Sequence, residues 1–145
     1  MIIPFHKTAV PNSLNDIFTE SLKDGWLTTG PVVKKFEDFI CNYTSARSSV
    51  AVNSCTAGLH LALAAKQFPH GSKFIAPSYT FVATVEVGIH LGMVPILVDC
   101  DENFNMDLNQ VEDILKNDRN IRVLMPVHFA GKPVNMIAVS YTHLT

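Results

Sequence analysis

The chain has 145 residues, 48% hydrophobic and 17% charged, and its eleven Lys+Arg against thirteen Asp+Glu give a net charge of −2. That composition excludes intrinsic disorder, and the absence of a basic stripe excludes a protein that grips a nucleic-acid backbone. No apolar run approaches the ~18 residues of a membrane span, and the start, MIIPFHKTAVPN, lacks the pattern of a signal peptide. The expectation is a cytoplasmic soluble protein with neither a nucleic-acid nor a membrane partner.

In chain order, Ser13–Asp24 carries apolar residues at Leu14, Ile17, Phe18 and Leu22, a helical stripe that Gly25 is placed to stop. The loop Gly25–Gly30 follows. Pro31 then opens a second amphipathic helix marked by Val32, Val33, Phe36, Phe39, Ile40 and Tyr43. From Ser48 onward β-rich runs alternate with helical stretches. These are Ser49–Val52 and a helix near Ala57–Gln67, Lys73–Pro77 and a helix near Thr80–Leu91, Val94–Asp99 and a helix over Leu108–Asn117, then Ile121–Val127. Asp107 and Gln110 resemble a capping box for the third of these helices. Strand and helix in alternation predict an α/β fold, a mostly parallel sheet with helices on both faces. Ala138–Thr145 shows no periodicity for a covering helix, so the pattern reads as the truncated front of a larger domain. The predicted organisation is an N-terminal helical segment over 1–47, a partial α/β domain over 48–138 and a non-native tail over 139–145.

The cysteines, Cys41, Cys55 and Cys100, are odd in number and include no C-x-x-C pair, so the expectation is reduced thiols and no zinc site. The six histidines show no metal-ligand spacing on one helix, and no metal is expected.

Three segments could carry chemistry. Val50–His60 runs from a strand through a turn of small polar residues, Asn53-Ser54-Cys55-Thr56, into an apolar helix. Free N–H groups at such a helix start, with the Ser54 and Thr56 hydroxyls, make an anion site, or Ser54 or Thr56 is simply an N-cap. Pro77–Thr84 sits at the carboxyl end of the next strand, where open α/β sheets gather ligands. Phe81 there either stacks on a planar ring or fills the core under the following helix. In Val127–Pro133, His128 is either an acid/base or a hydrogen-bonded structural residue, and Lys132 is read as solvated. Asp99 and Asp101 alternate to opposite faces and read as a strand end and turn rather than a carboxylate pair.

In order and spacing, GWLTTGPVVKKFED, AVNSCTAGLHLALAA, IAPSYTFVATVEVGIHLGMVPILVDCD and LMPVHFAGKP resemble the DegT/StrS sugar aminotransferases, from about Pro4 to Met136. Those are enzymes with pyridoxal 5′-phosphate (PLP) and the type I aspartate-aminotransferase fold. The resemblance implies that the chain is an N-terminal part of a PLP-dependent transferase large domain, and that the intact enzyme is a homodimer acting on a nucleotide sugar and an amino-acid donor. It places the cofactor-phosphate turn on Ser54, Cys55, Thr56 and Ala57, held by the N–H groups of Thr56 and Ala57 and the Thr56 hydroxyl. It puts the ring-stacking aromatic on Phe81, and a substrate-bordering loop on Leu27–Gly30 with Thr28 and Thr29. SCTAGLH resembles the branch that aminates a UDP-4-keto-pentose in lipid A modification. Family members exceed twice this length, and their Schiff-base lysine lies beyond the block that ends near Pro133. The resemblance therefore implies no catalytic residue in this stretch and no catalysis by it alone. Val139–Thr145 resembles a translated sequencing adaptor. The competing expectations are a PLP-dependent sugar dehydratase, a regulatory relative, or a non-catalytic α/β module that binds a phosphorylated ligand.

Overall fold

The computed structural model describes residues 4, 7–23 and 25–143. Asp24, most of the first six residues and the last two residues of the expected tail lie outside that set. The chain divides into two compact units between Ala51 and Val52.

The first unit holds α1 (Leu14–Lys23) and α2 (Pro31–Thr44). Gly25 ends α1 as expected, in a left-handed conformation with φ +72°. Pro31 occupies the first turn of α2, where its missing N–H costs nothing, and Ser45 ends the helix with φ 58°. Neither helix buries a side chain completely, so the apolar stripes that identify them are largely on the surface. Ser49–Val52 forms no strand. Glu37 takes up that backbone instead: its side chain accepts the Ala51 N–H at 2.9 Å, and its carbonyl accepts from the Ser49 hydroxyl at 2.8 Å. A segment whose polar groups bond to a helix satisfies them without a ladder.

The second unit contains α3 (Cys55–Ala64), β1 (Lys73–Pro77), α4 (Ala83–His90), β2 (Val94–Val98), α5 (Leu108–Asn117), β3 (Ile121–Leu124) and α6 (Met136–His143). The three strands are parallel in the order β2-β1-β3. The α/β fold with a parallel sheet is thus present. Phe74 and Ala76 of β1 turn to one face and pack with Leu63, Val87, Met93 and Met125. Ile75, their neighbour in alternation, turns to the other and packs with Val98, Met106, Val111, Val134 and Val139. Helices α3 and α4 therefore cover one face and α5 and α6 the other. The chain moves from β1 outward to β2 and back across to β3, and a crossover that keeps one hand must change faces when it changes direction.

Element ends differ from the sequence expectation for local reasons. β2 stops at Val98 because the Asp99 N–H goes to the Gln110 side chain at 3.1 Å. β3 stops at Leu124, one bond (Met125 N–H to the Ile75 carbonyl, 2.9 Å) before Pro126, which has no N–H to continue the ladder. Helix α6 contradicts the expectation that residues 138–145 hold no helix. Asn135 caps it, its Oδ1 accepting the Ala138 N–H at 3.1 Å, and Val139 is buried against the sheet. Among residues 136–140 of this helix Val139 alone is buried, which leaves no stripe to read.

Candidate functional site

α3 begins at the turn Asn53–Ser54. Ser54 has extended backbone (φ −158°, ψ 155°), and its Oγ accepts the Ala57 N–H at 3.1 Å. The Ser54 carbonyl accepts the Gly58 N–H at 3.1 Å. The N-cap reading of Ser54 is therefore correct in geometry, and it leaves the N–H groups of Cys55 and Thr56 without a bond among the described residues. That revises the expected donors. The Ala57 N–H is engaged by the cap, so the donors on offer are the Cys55 and Thr56 N–H groups and the Thr56 hydroxyl. Ser54, Cys55 and Thr56 are exposed and Ala57 is half-buried. An exposed helix start with two free N–H groups and a hydroxyl fits a phosphate dianion, with the positive end of the helix dipole behind it. The Cys55 thiol is free and exposed at the first position of the helix.

β1 delivers the next residues at its carboxyl end. The Ser78 N–H continues the sheet to the Val98 carbonyl at 2.8 Å. Thr80 and Thr84 share a hydroxyl bond of 2.8 Å, and the Phe81 carbonyl accepts the Thr84 N–H at 3.0 Å. Between these anchors Phe81 stands 75% exposed. The alternative that buries it under α4 does not hold, and its ring is available to stack on a planar group. Helix α4, which follows Phe81, packs against α3, which follows the phosphate-type turn.

The loops after β2 and β3 meet beside this strand end. Asp101 Oδ1 accepts the N–H groups of Asn103 (2.8 Å) and Asn105 (3.0 Å), an Asx-type turn as expected. Burial opposes ionisation of this carboxyl, but the donors of Asn103 and Asn105 outweigh it and hold the group below the ordinary carboxylate range. His128 is hydrogen-bonded within its own loop: its Nδ1 accepts the Val134 N–H at 3.1 Å. Lys132 is not merely solvated, because its Nζ donates to Asn103 Oδ1. Sequence reading missed Asn105, which is buried and bonds to both Phe129 and Lys132. It also missed the mutual packing of Tyr79, Phe104 and Phe129, with ring centroids 5.1–5.5 Å apart. Three rings separated by 25 residues each time offer no sequence signal. Thr28 and Thr29 are exposed in the first unit. Among the described residues there is no cluster of three or more His, Cys, Asp or Glu able to hold a metal, and no helix long and apolar enough to cross a membrane.

Residues 10–142 match the sequence profile of the DegT/DnrJ/EryC1/StrS aminotransferase family. The spore coat polysaccharide biosynthesis protein SpsC of Bacillus subtilis is 40% identical over 122 residues, which are 83% of this chain and 31% of SpsC. Among solved structures, Spr1654 of Streptococcus pneumoniae, assigned as a sugar aminotransferase, superposes with TM-score 0.89 at 30% identity, over 97% of this chain and 35% of that one, in its pyridoxamine 5′-phosphate (PMP) form. It is also known in a PLP form. The GDP-4-keto-6-deoxy-D-mannose-3-dehydratase of E. coli, with bound hydrated PLP, shares the fold with TM-score 0.88 at 19% identity, over 96% of this chain and 37% of that one. The chain thus spans about a third of the length of the relatives it matches.

Proposed function

Since the chain belongs to the DegT/DnrJ/EryC1/StrS aminotransferase family, whose cofactor is PLP, we propose that it supplies the cofactor-holding part of a cytoplasmic, homodimeric enzyme that moves an amino group from an amino-acid donor, glutamate in the first instance, to the keto group of a nucleotide-linked sugar. The likeness of Ser54–His60 to the branch that uses a UDP-4-keto-pentose favours a 4-keto sugar. The observation that carries the proposal is the pairing of two features in one unit: a helix start with free N–H groups at Cys55 and Thr56, and the exposed Phe81 ring at the carboxyl end of β1.

When bound, PLP supplies an electron sink and a carrier for the transferred amino group. The work of this chain's residues is binding and orientation. The Cys55 and Thr56 N–H groups and the Thr56 hydroxyl hold the phosphate at the positive end of α3, where dianionic charge is favoured. Phe81 holds the plane of the ring, and a ring held at one tilt presents one face to the amino donor. The Ser54 cap keeps α3 starting at Cys55, so that the N–H groups of Cys55 and Thr56 both belong to its open first turn. Thr28 and Thr29 offer exposed hydroxyls for hydrogen bonds to substrate.

Calorimetric titration of the chain with PMP tests this reading. PMP has the ring and phosphate of PLP but no aldehyde, so surface lysines cannot form imines with it. The expected result is saturable one-site binding that weakens in both Thr56→Val and Phe81→Ala. Binding unaffected by either substitution rejects the site. The transfer itself is read on the complete reading frame, as glutamate-dependent conversion of a UDP-4-keto sugar to its amino sugar.

A further inference from the structure

The Phe81 loop is backed by an assembly built around Asn105. Asn105 is only 4% exposed, and both ends of its side-chain amide are used. Its Oδ1 accepts the Phe129 N–H at 3.2 Å, and its Nδ2 donates to the Lys132 carbonyl at 3.3 Å. Its backbone is pinned from the other side, with its N–H on Asp101 Oδ1 and its carbonyl receiving the Asp101 N–H at 2.8 Å. Asn105 thereby locks the loop after β2 to the loop after β3.

The same residue places two rings. Phe104, its covalent neighbour, is held at φ 61°, a conformation that bulky L residues rarely adopt and that persists only where the surroundings impose it. Phe129 is held through its N–H. These rings lie 5.3 Å apart, and Tyr79 completes the cluster at 5.5 Å from Phe104 and 5.1 Å from Phe129. Tyr79 sits two residues before Phe81 in the segment that joins β1 to α4. Thr80–Thr84 and Phe81–Thr84 bonds fix that segment on its α4 side. The Tyr79 ring fixes it on the other.

We propose that Asn105 is a positioning residue for the cofactor ring: by clamping Phe104 and Phe129 against Tyr79 it holds the loop that presents Phe81. The proposal rests on the reading of Phe81 as the stacking residue. Asn105 acts on the ring contact alone, because the phosphate-holding groups at Cys55 and Thr56 belong to a different turn on α3.

The test separates ring from phosphate. Titrations with PMP and with inorganic phosphate are compared for the chain and for Phe81→Ala, Asn105→Ala and Tyr79→Leu. Stacking of this kind is worth about 0.5–1.5 kcal/mol, or about 2- to 12-fold in affinity. Phe81→Ala is expected to lower PMP affinity within that range. Asn105→Ala and Tyr79→Leu are expected to lower it about threefold and to reduce the induced circular dichroism of bound PMP. All three leave phosphate affinity unchanged. If Phe81→Ala weakens PMP and the other two do not, the proposal is overturned while the stacking reading stands. If Phe81→Ala has no effect, both fall. Equal losses for PMP and phosphate in Asn105→Ala also overturn it, since they mark general disruption of the unit. Tyr79→Leu carries the test should Asn105→Ala not fold.

Discussion

Gly88, buried in α4, lies against the ring of Phe74 on β1. A Cβ at Gly88 would stand 2.4 Å from Phe74 Cε1 and 2.6 Å from Cζ, about 1 Å inside ordinary van der Waals contact. Phe74 is fully buried among Leu63, Val87, Met93 and Met125, so the ring has nowhere to swing and α4 must lift off the sheet. Overpacking of this severity costs about 3 kcal/mol, at the upper end of the usual range. The better helix propensity of alanine returns about 1 kcal/mol. Gly88→Ala is therefore expected to destabilise the chain by about 2 kcal/mol in urea unfolding followed by far-ultraviolet circular dichroism. Phe74→Leu should relieve the clash, so the double variant is expected to be at least about 1 kcal/mol more stable than the two single effects summed. A Gly88→Ala protein more stable than the parent would mean that propensity alone operates, and would refute the close packing of α4 on β1.

Three further predictions concern polar and terminal groups. The bond from Lys73 holds the Asp118 carboxyl below its ordinary value, helped by the Asn120 N–H. A depressed carboxylate stabilises the fold above its unfolded pKa of about 3.9 and loses that contribution as pH falls through the folded value. Acid unfolding of Asp118→Asn should accordingly be less steep below about pH 4, and an unchanged acid limb would show the pair to be inert. His128→Ala strands the Val134 N–H and is expected to cost about 1–3 kcal/mol in the same urea assay; a loss under about 0.5 kcal/mol would contradict the structural role of the imidazole. Val139→Asp buries a charge against Ile75 and Val111 and should release α6, seen as fast hydrogen exchange in residues 136–143 with α4 still protected.

Much of the second unit was legible because its elements obey simple periods. β1 and α5 fall where the pattern puts them, since Phe74, Ile75 and Ala76 form a run buried on both faces and α5 has Asp107 as its cap. The capping box is only half realised: Gln110 reaches the Asp107 side chain at 3.1 Å while its oxygen serves the Asp99 N–H. Ser49–Val52 looked like a strand because β-rich composition describes a residue's preference, whereas a ladder needs a partner, and Glu37 supplied a different one. The candidate site divides the same way. Ser54, Thr56 and Phe81 stand out by lying just past a strand or at a helix start, but position alone left a plain N-cap and a core ring open as alternatives, and the family resemblance chose between them. The capture of the Ala57 N–H by Ser54 is a local N-cap of the kind expected at that turn, whereas the role of Asn105 depends on partners 24 and 27 residues away that no local pattern encodes.

The most direct test of the account is a titration of the isotopically labelled chain with PMP, followed by amide resonances. If α3 and the β1 loop hold the cofactor, the Cys55, Thr56 and Phe81 amides shift together along one saturating curve, and inorganic phosphate moves the first two but not the third. Shifts confined to other parts of the chain, with Cys55, Thr56 and Phe81 unmoved at saturation, would contradict it.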